Sequence, residues 1–464
     1  MTALARRPSP PDRFDPRLLA PMMLGSILNP INSSIIAVAL VPIGVALGAP
    51  ARETTWLITG LYLATAIGQP LMGRLVDTYG ARRMFLVGSA LTLLAGLLGT
   101  LSPNIWVLVV ARVVLGFGTC AGYPSAMRLI REEGERTGVH SPARVLSALS
   151  ITTQTISVIG PVLGGALIDI GGWRSTLAIN VLLGAAGLVL GRLYLPAPQA
   201  PGPSAELPSA GRTARARIDV LGIVLFAIGM VSVLLLIMQP SVARLWLLVP
   251  GVAAGVAFVV QELRVAAPFI DLRMLRSSPA LVRSYLRSVL TALVSYGYMY
   301  GFTQWMQESR DLSPSLSGLV LLPTFLVGIG VVALTGRRSD LRKKLLVGSI
   351  AQILACALVL VLHDDSPIVL LLAIAVVLGI PQGLVNLANQ NAVYVQARPE
   401  QVGSAAGLLR TFMYFGAIGS SSASGLLFGD RASTGGMHDL GLVMLVAAIG
   451  LLVLSATDRS LRRR

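Results

Sequence analysis

The sequence predicts an all-α membrane protein whose helices cross the bilayer fourteen times. Three observations predict it. The 464-residue chain is 54% hydrophobic and 12% charged, with a mean hydropathy of +0.75, where a soluble domain carries about 25% charged residues. Apolar runs of helix length recur along the whole chain, each able to cross a hydrocarbon core of roughly 30 Å. Basic residues concentrate in alternate connections between those runs. The runs are too long and continuous for barrel strands, which read as alternating segments of about ten residues. Their backbone polar groups must therefore be satisfied within helices.

In chain order the runs cover residues 18–46, 54–73, 84–102, 105–127, 145–169, 175–195, 219–239, 244–262, 285–306, 315–335, 345–362, 367–390, 403–428 and 437–456. An even number of crossings places both ends on one side. With the N-terminus in the cytosol, inside segments hold 30 of the 37 Lys and Arg residues and outside segments hold five: Arg52, Arg174, Arg244, Arg310 and Arg431. Two more, Arg112 and Arg410, lie deep within runs. This is the positive-inside rule, and dropping one run would invert every later loop. The net charge of +16 is thus topological, and nucleic acid is not an expected partner.

The stretch up to Pro16 lacks a short apolar core beside a small-residue cleavage site, so no signal peptide is expected. Cys120 and Cys356 fall inside apolar runs as packing residues, and His140, His363 and His438 are scattered. Neither a disulfide nor a metal site is expected. The chain has no Gly-x-x-x-x-Gly-Lys-Ser/Thr phosphate loop and no His-Glu-x-x-His motif. No cofactor and no enzymatic activity are expected.

The most informative connection is Gly73-Arg74-Leu75-Val76-Asp77-Thr78-Tyr79-Gly80-Ala81-Arg82-Arg83. Gly73 permits close helix approach and Gly80 a tight turn. Asp77 can accept from the free N–H groups of a helix N-terminus, and Arg82 and Arg83 can pair with acidic groups or lipid phosphates. An ordinary basic loop is the competing reading. A weaker echo, Gly336-x-x-x-Asp340 followed by Arg342-Lys343-Lys344, follows the second run of a later six-run block. Such parallel repeats are expected of two-bundle transporters. In the fifth run, Gly160-Pro161-Val162-Leu163-Gly164-Gly165 combines a helix bend with a small-residue face. Arg112 lies about 10 Å into the fourth run at 1.5 Å per residue. It must face a cavity or partner, or snorkel to an interface.

The Gly73–Arg83 pattern resembles the signature between helices 2 and 3 of major facilitator superfamily transporters. Gly160–Gly165 resembles the fifth-helix signature of that superfamily's antiporters, and Arg112 its fourth-helix arginine. Gly172-Trp173-Arg174 with Asn180, Trp56-x-x-Thr59-x-x-Tyr62, and Ser313-Pro314-x-x-Ser317-Gly318-Leu319 also match. Together they resemble the fourteen-helix drug:proton antiporter branch. The resemblance implies two six-helix bundles, residues 1–195 and 271–464. The linker and extra helix pair of 196–270 lie between them. It implies a latch at Gly73, Asp77, Gly80, Arg82, Arg83, Gly336 and Asp340, with Asp77 docking near Gly403, and a coupling role for Arg112. The implied activity is proton-coupled efflux of small organic compounds by a single-chain, multi-pass protein of a bacterial inner membrane, both termini cytoplasmic.

One departure matters. Where that branch carries an aspartate in its first helix, this chain has Asn32, and asparagine cannot titrate. Two intramembrane bases, Arg112 and Arg410, without an obvious buried acid open an alternative: a selective carrier of anionic or zwitterionic metabolites, not tied to protons. Arg410 can equally pair with a helix-end carbonyl or lipid headgroup. Cavity-lining candidates are Asn32, Ser34, Gln69, Tyr123, Gln154, Gln304, Asn386 and Arg410.

Overall fold

A computed structural model describes residues 15–137, 143–196, 219–238, 242–265, 268–270, 272–335, 340–397, 402–458 and 460. Those residues form helices and their connections. The α-helices are α1 (Leu19–Leu47), α2 (Ala51–Tyr79), α3 (Ala81–Thr100), α4 (Ile105–Cys120), α5 (Gly122–Thr137), α6 (Ala143–Gly171), α7 (Ser175–Tyr194), α8 (Val220–Met238), α9 (Leu248–Arg264), α10 (Leu272–Ser277) and α11 (Pro279–Tyr296). A π-helical turn, Gly297–Phe302, leads into α12 (Thr303–Glu308). Then come α13 (Pro314–Thr335), α14 (Leu341–Val359), α15 (Ile368–Gln396), α16 (Val402–Phe428) and α17 (Thr434–Thr457).

Local chemistry ends and starts these helices. Gly48 closes α1 with φ of 62°, a conformation that costs glycine little. Side chains of Asn104, Asp340 and Ser433 accept from Val107, Lys343 and Gly436 N–H groups and so cap α4, α14 and α17.

Each predicted run is helical. Among the described residues, eight segments are long and apolar enough to cross a membrane by length and composition. The remaining runs are shorter or diluted by polar side chains. In α2 the diluting groups are Thr54, Thr55, Thr59, Thr65 and Gln69, and in α16 Ser420, Ser421, Ser422 and Ser424. Hydropathy drops in helices whose polar groups turn toward other helices.

The packing repeats itself. In the first part α1 packs on α6, α2 on α4 and α3 on α7; in the second α11 packs on α16, α13 on α15 and α14 on α17. The two parts meet along α2 with α16 and α6 with α13. Helices α8 and α9 pack on each other, and α8 also touches α2 and α16.

Small residues set the closest approaches. A methyl group on Gly122 would lie 2.2 Å from the carbonyl oxygen of Gly25, so α5 touches α1 backbone to backbone.

A buried ion pair ties the second part together at its termini end. Arg287 and Asp458, both 0% exposed at the side chain, pair at 2.7 Å. Arg287 also donates to Asn389 (3.2 Å) and to the Ser284 hydroxyl (2.6 Å), and Arg283 reaches Asp458 at 3.2 Å. The charge count assigned Arg287 to an inside connection; in the structure its side chain is fully buried. Burial pushes the Asp458 carboxyl up, but hydrogen bonds from Arg287 and Ser460 outweigh that and hold it below its ordinary 3.8. A depressed carboxyl stabilises the fold above its unfolded value. This contribution is therefore present at neutral pH and is lost as pH falls below 3.8 through the folded value. Asp458→Asn leaves Arg287 buried without its counter-charge, which costs about 3–5 kcal/mol. A thermal shift assay should show a clear drop in Tm at pH 7. An unchanged Tm would mean the pair contributes nothing.

Candidate functional site: the seam between the two helical parts

The polar groups of α1, α2, the π turn and α16 converge where the two parts meet. The Tyr62 and Tyr300 hydroxyls hydrogen-bond at 2.7 Å, and Tyr300 donates to the Ser33 carbonyl at 3.0 Å. Tyr62 stands edge-on to Tyr296 (5.1 Å between centroids) and stacks on Tyr414 (5.5 Å). Tyr296 and Tyr300 stack at 5.7 Å. Tyr296 ends α11 and Tyr300 lies four residues on, inside the π-helical turn, and such turns often mark functional sites. Gln69 hydrogen-bonds Tyr414.

Arg112 is 1% exposed. Its Nε donates to the Leu57 carbonyl at 3.1 Å, and both terminal nitrogens reach the Asn32 carbonyl at 3.5 Å. A cation is thus held between α1 and α2 by neutral carbonyls. Arg410, half-buried, lies 4.2 Å above the exposed ring of Tyr123, a cation–π contact joining α16 to α5 across the seam.

The Asn32 side chain turns away from the seam. It exchanges hydrogen bonds with Asn180 of α7 (2.7 and 2.8 Å) and donates to the Leu28 carbonyl (2.9 Å). Ser34 donates to the Pro30 carbonyl and packs under Gly160, where a methyl group would come 2.2 Å from its Cβ. Gln304 reaches Thr54 at 3.5 Å across the seam, and Asn386 bonds Gln382 within its own helix. The Gln154 side chain lies outside the described residues.

The end of the molecule remote from the termini is closed. Ala51 and Arg52 N–H groups donate to the carbonyls of Asp430 (3.0 Å) and Gly429 (2.8 Å). Thr59 and Ser421 hydroxyls meet at 3.1 Å, and Gln307 donates to the Val38 carbonyl at 3.1 Å. Pro161–Gly165 forms the other half of the closure. Gly164 packs on Ile35 of α1; a methyl group on Gly165 would lie 2.4 Å from Ser315 Cα, and Gly318 faces the Pro161 carbonyl. The Ser315 hydroxyl hydrogen-bonds Asp169.

At the opposite end, Gly80 makes the turn from α2 to α3 with φ of 89°. Arg82 donates to the Arg192 carbonyl at 3.0 Å, while Arg83 is exposed. Among the described residues, a methyl group on Gly73 would meet nothing within 4 Å. Asp340 caps α14 and pairs with Lys343 at 3.0 Å. The Asp77 side chain, Gly336 and the side chains around Gly403 lie outside the described residues. Sequence reasoning named Tyr62 only as a motif position and missed Tyr296, Tyr300 and Tyr414. The signal available was the run Tyr296-Gly-Tyr298-Met-Tyr300, a density of tyrosine unusual for a membrane helix.

The family model described as Major Facilitator Superfamily matches residues 22–421. The chain is 31% identical to YwoD, an MFS-type transporter of Bacillus subtilis (strain 168), over 95% of this chain and 96% of that one. It is 29% identical to the tetracenomycin C resistance and export protein of Streptomyces glaucescens, over 90% of this chain and 76% of that one. Among solved structures, an auto-inhibited POT family peptide transporter is similar in fold, with a TM-score of 0.65 at 14% identity, covering 96% of this chain and 98% of that one.

Proposed function

The chain belongs to the major facilitator superfamily and is a multi-pass membrane transporter, not an enzyme, and from that premise we propose that it exports small organic compounds by proton-coupled antiport. The observation that carries this reading is the seam itself. Polar and aromatic groups of both helical parts meet inside a molecule closed at one end, as alternating access about a central site requires. The export and resistance named for the Streptomyces relative support efflux as the direction. In this reading α1–α7 and α11–α17 are two bundles of six crossings each, α8 and α9 add a pair, and the membrane is a bacterial inner membrane. The arginine-rich termini end faces the cytosol in this reading, and the described state is closed toward the outside. The Gly73–Arg83 turn acts as the conformational latch and Arg112 as a coupling residue.

A second reading has its own support. Among the described residues neither Arg112 nor Arg410 pairs with a carboxylate. A seam with two such bases favours anionic or zwitterionic substrates. Proteoliposomes loaded with a panel of cationic, neutral and anionic compounds, with and without an imposed pH gradient, separate the two. Gradient-driven accumulation of cationic or neutral compounds supports the first reading. Gradient-independent anion transport, lost in Arg410→Glu, supports the second and rejects antiport.

A further inference from the structure

The α8–α9 hairpin carries a carboxylate pair that the seam does not use. Asp219, just before α8, is 6% exposed, and Glu262, near the end of α9, is 0% exposed. One oxygen of each is satisfied. Asp219 Oδ1 accepts from the Gly222 N–H (2.8 Å) and the Gln261 amide (3.1 Å), and Glu262 Oε2 accepts from the Ile270 N–H (3.0 Å). The other oxygens, Asp219 Oδ2 and Glu262 Oε1, are buried and have no hydrogen-bond partner among the described residues. They point to the same place. A methyl group on Gly222 would lie 2.5 Å from the first and 2.6 Å from the second, which bounds their separation at about 5 Å. The missing side chain at Gly222 is what lets them approach.

We propose that Asp219 and Glu262 share one proton, making the hairpin a proton-binding site whose occupancy depends on where α2 stands. Two buried carboxylates this close do not both ionise. Protonating one converts two facing acceptors into a donor and an acceptor, which satisfies both orphaned oxygens at once.

The surroundings couple the pair to the transporter. On α2, Arg74 donates to the Pro268 carbonyl and stands close enough for its charge to act on Glu262. On α10, Arg273 donates to the Leu263 carbonyl. On α16, the group against the hairpin is Phe415, packed on Phe226. The hairpin's apolar face, Ile223, Phe226 and Phe258, joins a cluster with Leu281, Tyr285, Val393 and Leu408 of α11, α15 and α16. The hairpin is thus packed on the second part by apolar contacts, and it meets the first where α8 touches α2 and through the Arg74 cation. When the two parts rock, Arg74 slides relative to the pair. Its approach favours the ionised carboxylate, and its withdrawal favours proton uptake from water. This would supply the titrating group that Asn32 cannot be. Only that role in transport rests on the proton-coupled reading; the shared proton does not.

The test is infrared difference spectroscopy of the full chain in lipid nanodiscs across a pH titration, read at the carbonyl band of protonated carboxylic acids. The wild type should show a band near neutral pH that is absent in Asp219→Asn and in Glu262→Gln and present in Glu262→Asp, which also shows that the site still folds. In Arg74→Gln the band should persist to a pH higher by about 1–3 units. The same band in wild type, Asp219→Asn and Glu262→Gln, or no band in wild type, overturns the proposal. A band that behaves as expected beside transport indifferent to a pH gradient removes the antiport reading and leaves the shared proton standing. Gradient-driven transport with a band unmoved by either substitution does the reverse.

Discussion

Arg112→Leu is expected to abolish transport while leaving Tm unchanged or raised. Most buried bases in folded proteins sit against a carboxylate, and Arg287 does so here. Arg112 does not: its partners are the carbonyls of Leu57 and Asn32, on two different helices. An arginine at the centre of a membrane helix costs about 2.5–3.5 kcal/mol on insertion scales, and neutral acceptors return only part of that. Replacing an uncompensated buried ion with a well-packed apolar side chain is often neutral or stabilising. A residue that the fold would be better without is held for what it does. Arg112→Lys should also transport poorly, because a point charge on a flexible stem cannot span two carbonyls as the planar guanidinium does. Thermal unfolding and proteoliposome flux, measured on the same preparations, check this. Normal flux in Arg112→Leu would show that transport does not need the guanidinium, and a protein that fails to fold would show that the guanidinium is structural.

Gly165→Leu is expected to force open the end remote from the termini. A side chain there meets the Ser315 backbone, with Cα at 2.4 Å and N at 2.8 Å, and backbone cannot swing aside as a side-chain tip does. Overpacking of this kind costs about 1–3 kcal/mol. Placed on a contact that spans the closure, it is expected to shift the open-to-closed ratio by about 5- to 150-fold. Thr59, 0% exposed and bonded to Ser421 across the closure, is the reporter. In Thr59→Cys, thiol labelling should be slow in the parent and fast in the Gly165→Leu background. The native thiols, Cys120 and Cys356, are both buried and give little background. Gly122→Ala is the matched control. Its clash is with Gly25, inside the first part, so it should lower Tm without speeding labelling. Equal labelling in parent and Gly165→Leu would mean that α6 and α13 are not part of the closure.

These two variants exploit features of different legibility. The glycine face in the fifth run was readable because small residues at helical spacing imply close approach whatever the partner. Its partner was not readable: Ser315 lies 150 residues on, and only packing decides that Gly165 meets it while Gly160 and Gly164 meet α1. Arg112 was readable as an anomaly in an apolar run, since a charge in hydrocarbon demands an explanation. That its partners are carbonyls rather than an acid was not. Asn32 stood out as a missing titrating group, yet its side chain proves to be locked to Asn180. Asp219 and Glu262 each sit at the edge of a separate hydrophobic stretch. Nothing local marks them as neighbours.

The helical class, the extent of the runs and the alternation of basic loops were written in the order of residues, because water, hydrocarbon and an unpaired backbone act on each segment separately. The tyrosine seam, the closure, the Arg287–Asp458 pair and the hairpin carboxylates were decided by the folded arrangement alone. Each depends on how one helix is rotated and crossed against another distant in the chain, and that balance of packing across whole helices leaves no trace in any single stretch.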